Sequence, residues 1–314
     1  MSVLVSALIA PGFFQSQPVQ TALAIGGVVA LVSGIVGVFT VVRGQSFAGH
    51  AFSDMGTLGG SGSFLLSVNP LWGFVGVGVI VSGALELLGV QNRRGRDVAT
   101  GIVLGAALGI SALFLYFDTT IRSTSGATIT ILFGSLFTVS GATVPITTIL
   151  GALAALAVLV IYRPLLLSSV STDMAGARGV PVRAISLVFL LVMGVSVSLS
   201  SLAVGTILSP ALLIGPAATA LRFTKRPGTA MLAAGGIGIV ATWLGILLAY
   251  DSYYWPPAKQ GWPVSFLVVA LVFTFYLSAD LASWLQAKRA SKLEGGHGPG
   301  PSSTRESGVR CSQV

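Results

Sequence analysis

Residues 184–221 read AISLVFLLVMGVSVSLSSLAVGTILSPALLIGPAATAL, thirty-eight positions without one Asp, Glu, Lys or Arg. A helix needs about 20 apolar residues to cross a bilayer core roughly 30 Å thick. This single run therefore holds two membrane elements, placed at 184–202 and 204–221. The second carries two prolines six apart, Pro210 and Pro216. Proline lacks the helical donor and clashes with the preceding turn. At membrane depth the freed backbone groups are tolerated only where protein or a water-filled cavity satisfies them. Pro210 and Pro216 thus mark a candidate pathway-lining helix, with a simple packing kink as the alternative.

The same kind of run recurs along the chain. Charge-free stretches cover residues 1–42, 55–85, 98–117, 123–162, 227–250 and 260–279. They place further spans at 19–42, 47–68, 70–90, 98–117, 144–162, 229–250 and 264–286, with 127–139 as a short re-entrant or surface helix. The fold class is all-α: a polytopic membrane helical bundle of eight or nine transmembrane helices. Composition agrees, since 8% of the residues are charged against about 25% in soluble domains. Residues 1–18 read as a poorly ordered or interfacial lead-in, without the basic start of a signal peptide. Residues 19–286 form the membrane domain. Residues 287–314 are rich in Gly, Pro and Ser and read as a disordered tail. Glycines at four-residue spacing, such as Gly101, Gly105 and Gly109, let helices approach closely.

The net charge of +8 is explained by where the cations fall. Thirteen Lys and Arg residues, from Arg43 to Lys292, lie in loops on one side of the bundle, and only Arg122 and Lys259 on the other. The positive-inside rule makes the first side cytoplasmic, and the C-terminus with it. The charge is topogenic, so nucleic acid is not a partner and membrane lipid is.

Four ionisable residues fall inside spans: His50, Asp54, Glu86 and Asp280. Such residues are costly in lipid and are functional suspects by default. Glu86 and Asp280 lie about 10 to 12 Å inside their cytoplasmic ends at 1.5 Å per residue, within reach of a structural partner. His50 and Asp54, in Gly49-His50-Ala51-Phe52-Ser53-Asp54, differ because they form a pair. Spaced i and i+4, they share one helix face, with Ser53 nearby. Counted from Arg43, Asp54 is about 16 Å deep. Imidazole nitrogen with carboxylate oxygen suits Zn, Mn or Fe(II). Two ligands suit transient handling better than storage. The alternative, a buried His–Asp hydrogen bond satisfying itself, stays open on these residues alone.

The cytoplasmic loop 163–183, RPLLLSSVSTDMAGARGVPVR, contains a short capped helix. Ser171 or Thr172 caps its start, Asp173 suits the positive end of the dipole, and Gly179 before Val180-Pro181 stops it. A small amphiphilic helix between two spans suits docking to a soluble partner. The chain has no GxxxxGK[ST], GxSxG or HExxH motif. It also has too few histidines, cysteines and acids for a supported catalytic site, so it reads as no enzyme. No tightly bound cofactor is expected.

These features together resemble the permease subunit of bacterial metal-ion ABC importers, over about residues 12–286. Gln20-Thr21-Ala22-Leu23 matches the entry to the family's first span, and Gly37-Val38-Phe39-Thr40-Val41-Val42-Arg43 its exit. Leu132-Phe133-Gly134-Ser135-Leu136 is similar to its LFGxL segment, and the run Gly205 to Ala220 to its VGxxLxxxLLxxPAATA. Aligned on Gly179-Val180-Pro181-Val182, the family's DPExAxxxG becomes Ser171-Thr172-Asp173-Met174-Ala175-Gly176-Ala177-Arg178-Gly179. Asp173 takes the acidic position before Ala175, while Ser171 replaces the Asp and Thr172 the Pro.

The resemblance implies a type II ABC importer-like permease, homodimeric, in a bacterial inner membrane. Its substrate would be a divalent Zn, Mn or Fe ion, received from an extracytoplasmic metal-binding protein. A separate cytoplasmic ATP-binding subunit would dock on the helix at 171–179. It also implies that His50 and Asp54 contact the metal. The family's order is Asp-x-x-Ser-His, whereas this chain has His50 first and Asp54 last, so each ligand moves about 6 Å along the axis. Two rivals stand beside this expectation: a permease for metal chelates, which needs no side-chain ligands, and an ATP-independent carrier using Glu86 and Asp280.

Overall fold

In lipid, a backbone run can satisfy its own polar groups only as a helix or a closed barrel. In a computed structural model the chain takes the first course, and among the described residues every regular element is helical. The structure describes residues 13–87, 93–120, 126–134, 136–224, 226–253 and 261–294. His297 and Cys311 lie outside them. The helices are α1 (Gln17–Val42), α2 (Ser46–Leu65), α3 (Pro70–Leu87), α4 (Arg93–Thr120), α5 (Ala127–Phe133) and α6 (Thr143–Val160). They continue with α7 (Tyr162–Val170), α8 (Thr172–Ala177), α9 (Val182–Val204), α10 (Ser209–Phe223), α11 (Pro227–Ser252) and α12 (Val264–Glu294).

Each expected span overlaps one of these helices, although α10 starts at Ser209, and residues 88–90 of the span at 70–90 lie outside the described residues. Five of the helices, α1, α6, α9, α11 and the Val264–Gln286 part of α12, are long and apolar enough to cross a membrane. Segments Pro70–Glu86 and Leu104–Thr120 are shorter apolar stretches. α2 and α10 fall outside that class for opposite reasons: α2 is diluted by Ser, Gly, His and Asp, and α10 has only 15 residues.

α1 is the axis of the bundle and packs chiefly on α11, then on α10, α6 and α9. Its contacts are close because small residues line them. A methyl group at Gly37 would collide with the Leu213 carbonyl of α10. Ser33 on α1 bonds Ser200 of α9 at 2.7 Å, and Ser82 of α3 donates to the Leu190 carbonyl of α9 at 3.0 Å. Such interhelical bonds contribute about 0.6 kcal/mol each in a membrane bundle. A methyl group at Gly105 or Gly109 on α4 would meet nothing within 4 Å among the described residues, so these two glycines are not needed for helix contact there.

Residues at the two ends of the bundle are packed across helices. Arg43 donates to Ser168 at 3.0 Å and lies over the Phe189 ring, and Phe39 meets Tyr162 edge to face. At the opposite end Phe13 packs on Tyr250, and the Trp262 amide donates to Ser252.

Four expectations are corrected. The chain at 162–170 is the helix α7, where a plain loop was expected before the capped segment. Pro164 lies in its first turn, where a missing amide donor costs nothing. Phe13 is buried against Tyr250, so the end of the lead-in is packed against α11. Helix α12 continues through Lys288 to Glu294, so the expected tail begins later than residue 287. Finally, the interruption of the 184–221 run lies at Gly205–Leu208, ahead of both prolines. Pro210 occupies the first turn of α10, where it is compatible with helix, and α10 runs on through Pro216.

Candidate functional site

The site-bearing helix α2 is nearly enclosed. Ala51, Phe52, Ser53, Gly56 and Thr57 are buried, against α3, α4, α9 and α10. His50 and Asp54 lie on its less covered stripe, with side chains 54% and 25% exposed. Helical spacing brings His50 Nε2 and Asp54 Oδ2 to 3.6 Å. That is beyond hydrogen-bond range, so the two groups face the same space without consuming each other's lone pairs. A self-satisfied pair would be closer and buried. Among the described residues no group of three or more His, Cys, Asp or Glu comes together, so one copy offers two side-chain ligands here.

Ser53 is turned away from this stripe. It is fully buried, and its Oγ donates to the Thr206 carbonyl in the α9–α10 break. One turn on, Thr57 Oγ1 donates to Thr206 Oγ1 at 3.0 Å. Thr206 in turn donates through its amide to the Ile131 carbonyl at 3.0 Å, and Ile207 to the Leu132 carbonyl at 3.2 Å. Ser265 Oγ donates to the next carbonyl, Phe133. The C-terminus of α5 and the broken α9–α10 junction thereby satisfy each other's backbone. Gly134 (φ 73, ψ 176) and Gly205 (φ 86, ψ 162) close the contact in a conformation that is essentially restricted to glycine. A cavity of 320 Å³ opens beside this junction, and Thr130, Ile131, Thr138, Ser140 and Thr143 line part of it. Pro210 starts α10, and Pro216 is buried within it.

Sequence reasoning missed Thr57 and Thr206. The available signal was a pair of hydroxyls in runs otherwise built for lipid. It gave no hint that they meet, because 149 residues separate them.

The capped segment at 172–177 is a helix, α8, and Ser171 is its cap. Ser171 Oγ accepts from the Met174 amide at 3.3 Å. Thr172 opens the helix and Asp173 lies in its first turn. At the other end Val180 N donates to Ala175 O and Gly179 N to Gly176 O, with Gly179 at φ 75. That is a Schellman ending. Ala175 is fully buried, while Met174 is 51% exposed and ready for contact. Of the remaining intramembrane acids, Asp280 pairs with Arg222 at 2.9 Å, with Tyr276 also bonded to that guanidinium. Glu86 lies near Arg43.

The description of the ABC 3 transport family matches residues 15–279. The chain belongs to that family. It is 28% identical over 277 residues to the manganese transport system membrane protein MntC of Halalkalibacterium halodurans, covering 87% of this chain and 93% of that one. It is 31% identical over 239 residues to the manganese import system permease protein ScaB of Streptococcus parasanguinis, covering 76% and 82%. The zinc uptake membrane protein ZnuB of Haemophilus influenzae is 26% identical, with 82% and 95% covered. The solved structure of PsaBC from Streptococcus pneumoniae in complex with Fab superposes with a TM-score of 0.71 at 26% identity, over 85% of this chain and 92% of that one. This member of the family is a multi-pass membrane protein, helical throughout its described residues, and it shares its architecture with that structure over 85% of its length.

Proposed function

We propose that the chain is the permease subunit that carries a divalent transition metal ion into a bacterial cell, with His50 and Asp54 as its transient ligands. The carrying observation is that the pair faces open space at 3.6 Å, on an otherwise enclosed helix, in a chain so poor in ionisable groups. Nitrogen and carboxylate oxygen together suit Mn, Zn or Fe(II). Manganese is the first ion to try, since MntC and ScaB carry that metal in their names. Two ligands per copy are too few for a closed shell. A homodimer with two such stripes facing one another supplies four, and the exposure of His50 leaves room for it. The bundle spans the inner membrane eight or nine times, with the Arg43 end and the C-terminus cytoplasmic.

The ion arrives from an extracytoplasmic binding protein, and a separate ATP-binding subunit docks on α8. Ser171, Thr172 and Asp173 fix the start of that helix, Ala175 anchors it and Gly179 ends it. The chain has no P-loop of its own, and the energy enters through α8. Proteoliposomes holding the permease with its ATPase and binding protein test the reading with radioactive manganese or zinc. ATP-dependent uptake by wild type, lost in both His50→Ala and Asp54→Ala, is the expected result. Undiminished uptake in the double variant overturns the assignment of the pair.

A further inference from the structure

Arg43 follows α1 directly and begins the three-residue link to α2. Its guanidinium Nη1 donates to Ser168 Oγ at 3.0 Å, on α7, three residues before the Ser171 cap of α8. Its Cζ lies 5.5 Å from the centre of the Phe189 ring on α9. Burial pulls its pKa below the ordinary value, and the Glu86 carboxylate pulls it back. Arginine stays charged through shifts of this kind. One side chain therefore touches α7, next to the docking helix α8, and α9, and it feels the charge of Glu86 on α3; it is three residues from the start of the site helix.

The corner is unsaturated. Arg43 Nε, Glu86 Oε2 and Gln45 Oε1 are buried and have no hydrogen-bond partner among the described residues. One is a donor and two are acceptors, so they are complementary in kind. Leaving a buried polar atom unmet costs about 1 to 3 kcal/mol. A corner that served only to hold helices together would use these groups on one another, as the α5–Gly205 junction does. The groups here instead leave room for a second arrangement, in which the guanidinium turns from Ser168 to Glu86, whose charge it already feels.

On the reading that this chain is an ATP-driven permease, we propose that Arg43 is a positioning residue. It exchanges Ser168 for Glu86 as the ATPase moves α7 and α8, and this exchange sets the tilt of α2 and of the His50–Asp54 pair. Arginine suits the task because its five donors can serve two partners in turn. α2 follows because it packs most extensively on α3, the helix that carries Glu86.

The test uses the permease–ATPase complex in proteoliposomes with Mn²⁺ as probe, reading ions taken up per ATP hydrolysed. Arg43→Gln, Glu86→Gln and Ser168→Ala should each assemble with the ATPase and lower that ratio by about tenfold, within the roughly 5- to 150-fold range for coupled sites. The Arg43→Gln/Glu86→Gln double should be no worse than either single. Unchanged ratios, or a double variant whose loss is the product of the single losses, overturn the proposal. Ser168→Ala removes no charge, so it stands as a test even if an Arg43 variant fails to fold. A second readout is independent of substrate. Spin labels at Ala84→Cys and Val170→Cys, both at exposed positions, in a Cys311→Ser background should change separation when a non-hydrolysable ATP analogue binds. A fixed separation overturns the inference. Wild-type vesicles that take up no metal would instead overturn the functional reading, leaving the label distance to decide this one.

Discussion

The two joints that hold α2 are built on opposite rules. At the Gly134–Gly205 junction the free carbonyls of Ile131, Leu132, Phe133 and Thr206 accept, in order, from Thr206 N, Ile207 N, Ser265 Oγ and Ser53 Oγ. At the Arg43 corner a donor and two acceptors lie buried without a hydrogen-bond partner among the described residues. A saturated joint has one good arrangement, since any movement breaks bonds that nothing nearby replaces. An unsaturated joint has a second arrangement within reach. α2 is thus fixed at its middle, through Ser53 and Thr57, and loaded at its start, through Arg43 and Gln45. His50 lies between the two, and Asp54 lies beside the fixed point.

The comparison breaks most visibly at the saturated joint. Gly205 sits in a glycine-only region, and an added Cβ would run into the backbone of Leu132 and Gly134. Backbone strain and overpacking each cost 1 to 3 kcal/mol, so Gly205→Val should destabilise by about 4 kcal/mol. The measure is recovery of monodisperse protein from detergent and its unfolding midpoint in SDS. Gly236→Ala is the control, because nothing lies within 4 Å of that position, and it should match wild type. A stable Gly205→Val protein would show that the junction is not the fixed point.

The gross fold was legible because charge-free runs and helix length are local properties, and each expected span overlaps a helix. The His50–Asp54 stripe and the Ser171 cap were legible for the same reason. The location of the 184–221 break was not. Proline is the visible breaker in a sequence, yet Pro210 sits where a helix tolerates it, and the break belongs to Gly205. Only the approach of α5, more than 70 residues earlier in the chain, makes that glycine necessary. The Ser53–Thr206 and Arg43–Ser168 contacts were illegible on the same ground, since each joins residues more than 120 positions apart. The Gly101, Gly105 and Gly109 spacing misled in the other direction: the pattern is present, but a methyl group at Gly105 or Gly109 would meet no neighbour among the described residues.

A smaller effect is expected inside the same joint. Thr206→Val deletes the hydroxyl bonded by Thr57 and donated to Ile131, while the backbone pairing remains. Hydrogen bonds between membrane helices average about 0.6 kcal/mol, so the loss should be about 1 kcal/mol, read as a lowered SDS unfolding midpoint with the fold intact. At α8, Ser171→Ala removes a cap worth about 1 kcal/mol to a six-residue helix. The expected result is a severalfold loss in recovery of the ATPase subunit by pull-down, with the bundle's unfolding midpoint unmoved. Equal recovery would detach the docking role from this cap.

The smallest expected effect on stability sharpens the comparison most. Ser168 Oγ already donates to the Leu165 carbonyl within its own helix, and that bond is the kind a helix replaces at little cost. Its hydroxyl also accepts from Arg43, so Ser168→Ala frees a guanidinium that has Glu86 close by. The freed group has somewhere to go, and the unfolding midpoint should stay within the roughly 0.5 kcal/mol typical of substitutions that leave no group stranded. The same change at the saturated joint, Ser53→Ala, strands the Thr206 carbonyl and should cost more, about 1 to 3 kcal/mol. Removing one serine hydroxyl from each joint therefore gives opposite pairs of results. Ser53→Ala lowers stability first, whereas Ser168→Ala leaves stability alone and lowers ions moved per ATP. If both lose stability equally and neither changes the coupling ratio, the two joints are of one kind, and α2 has no driven end.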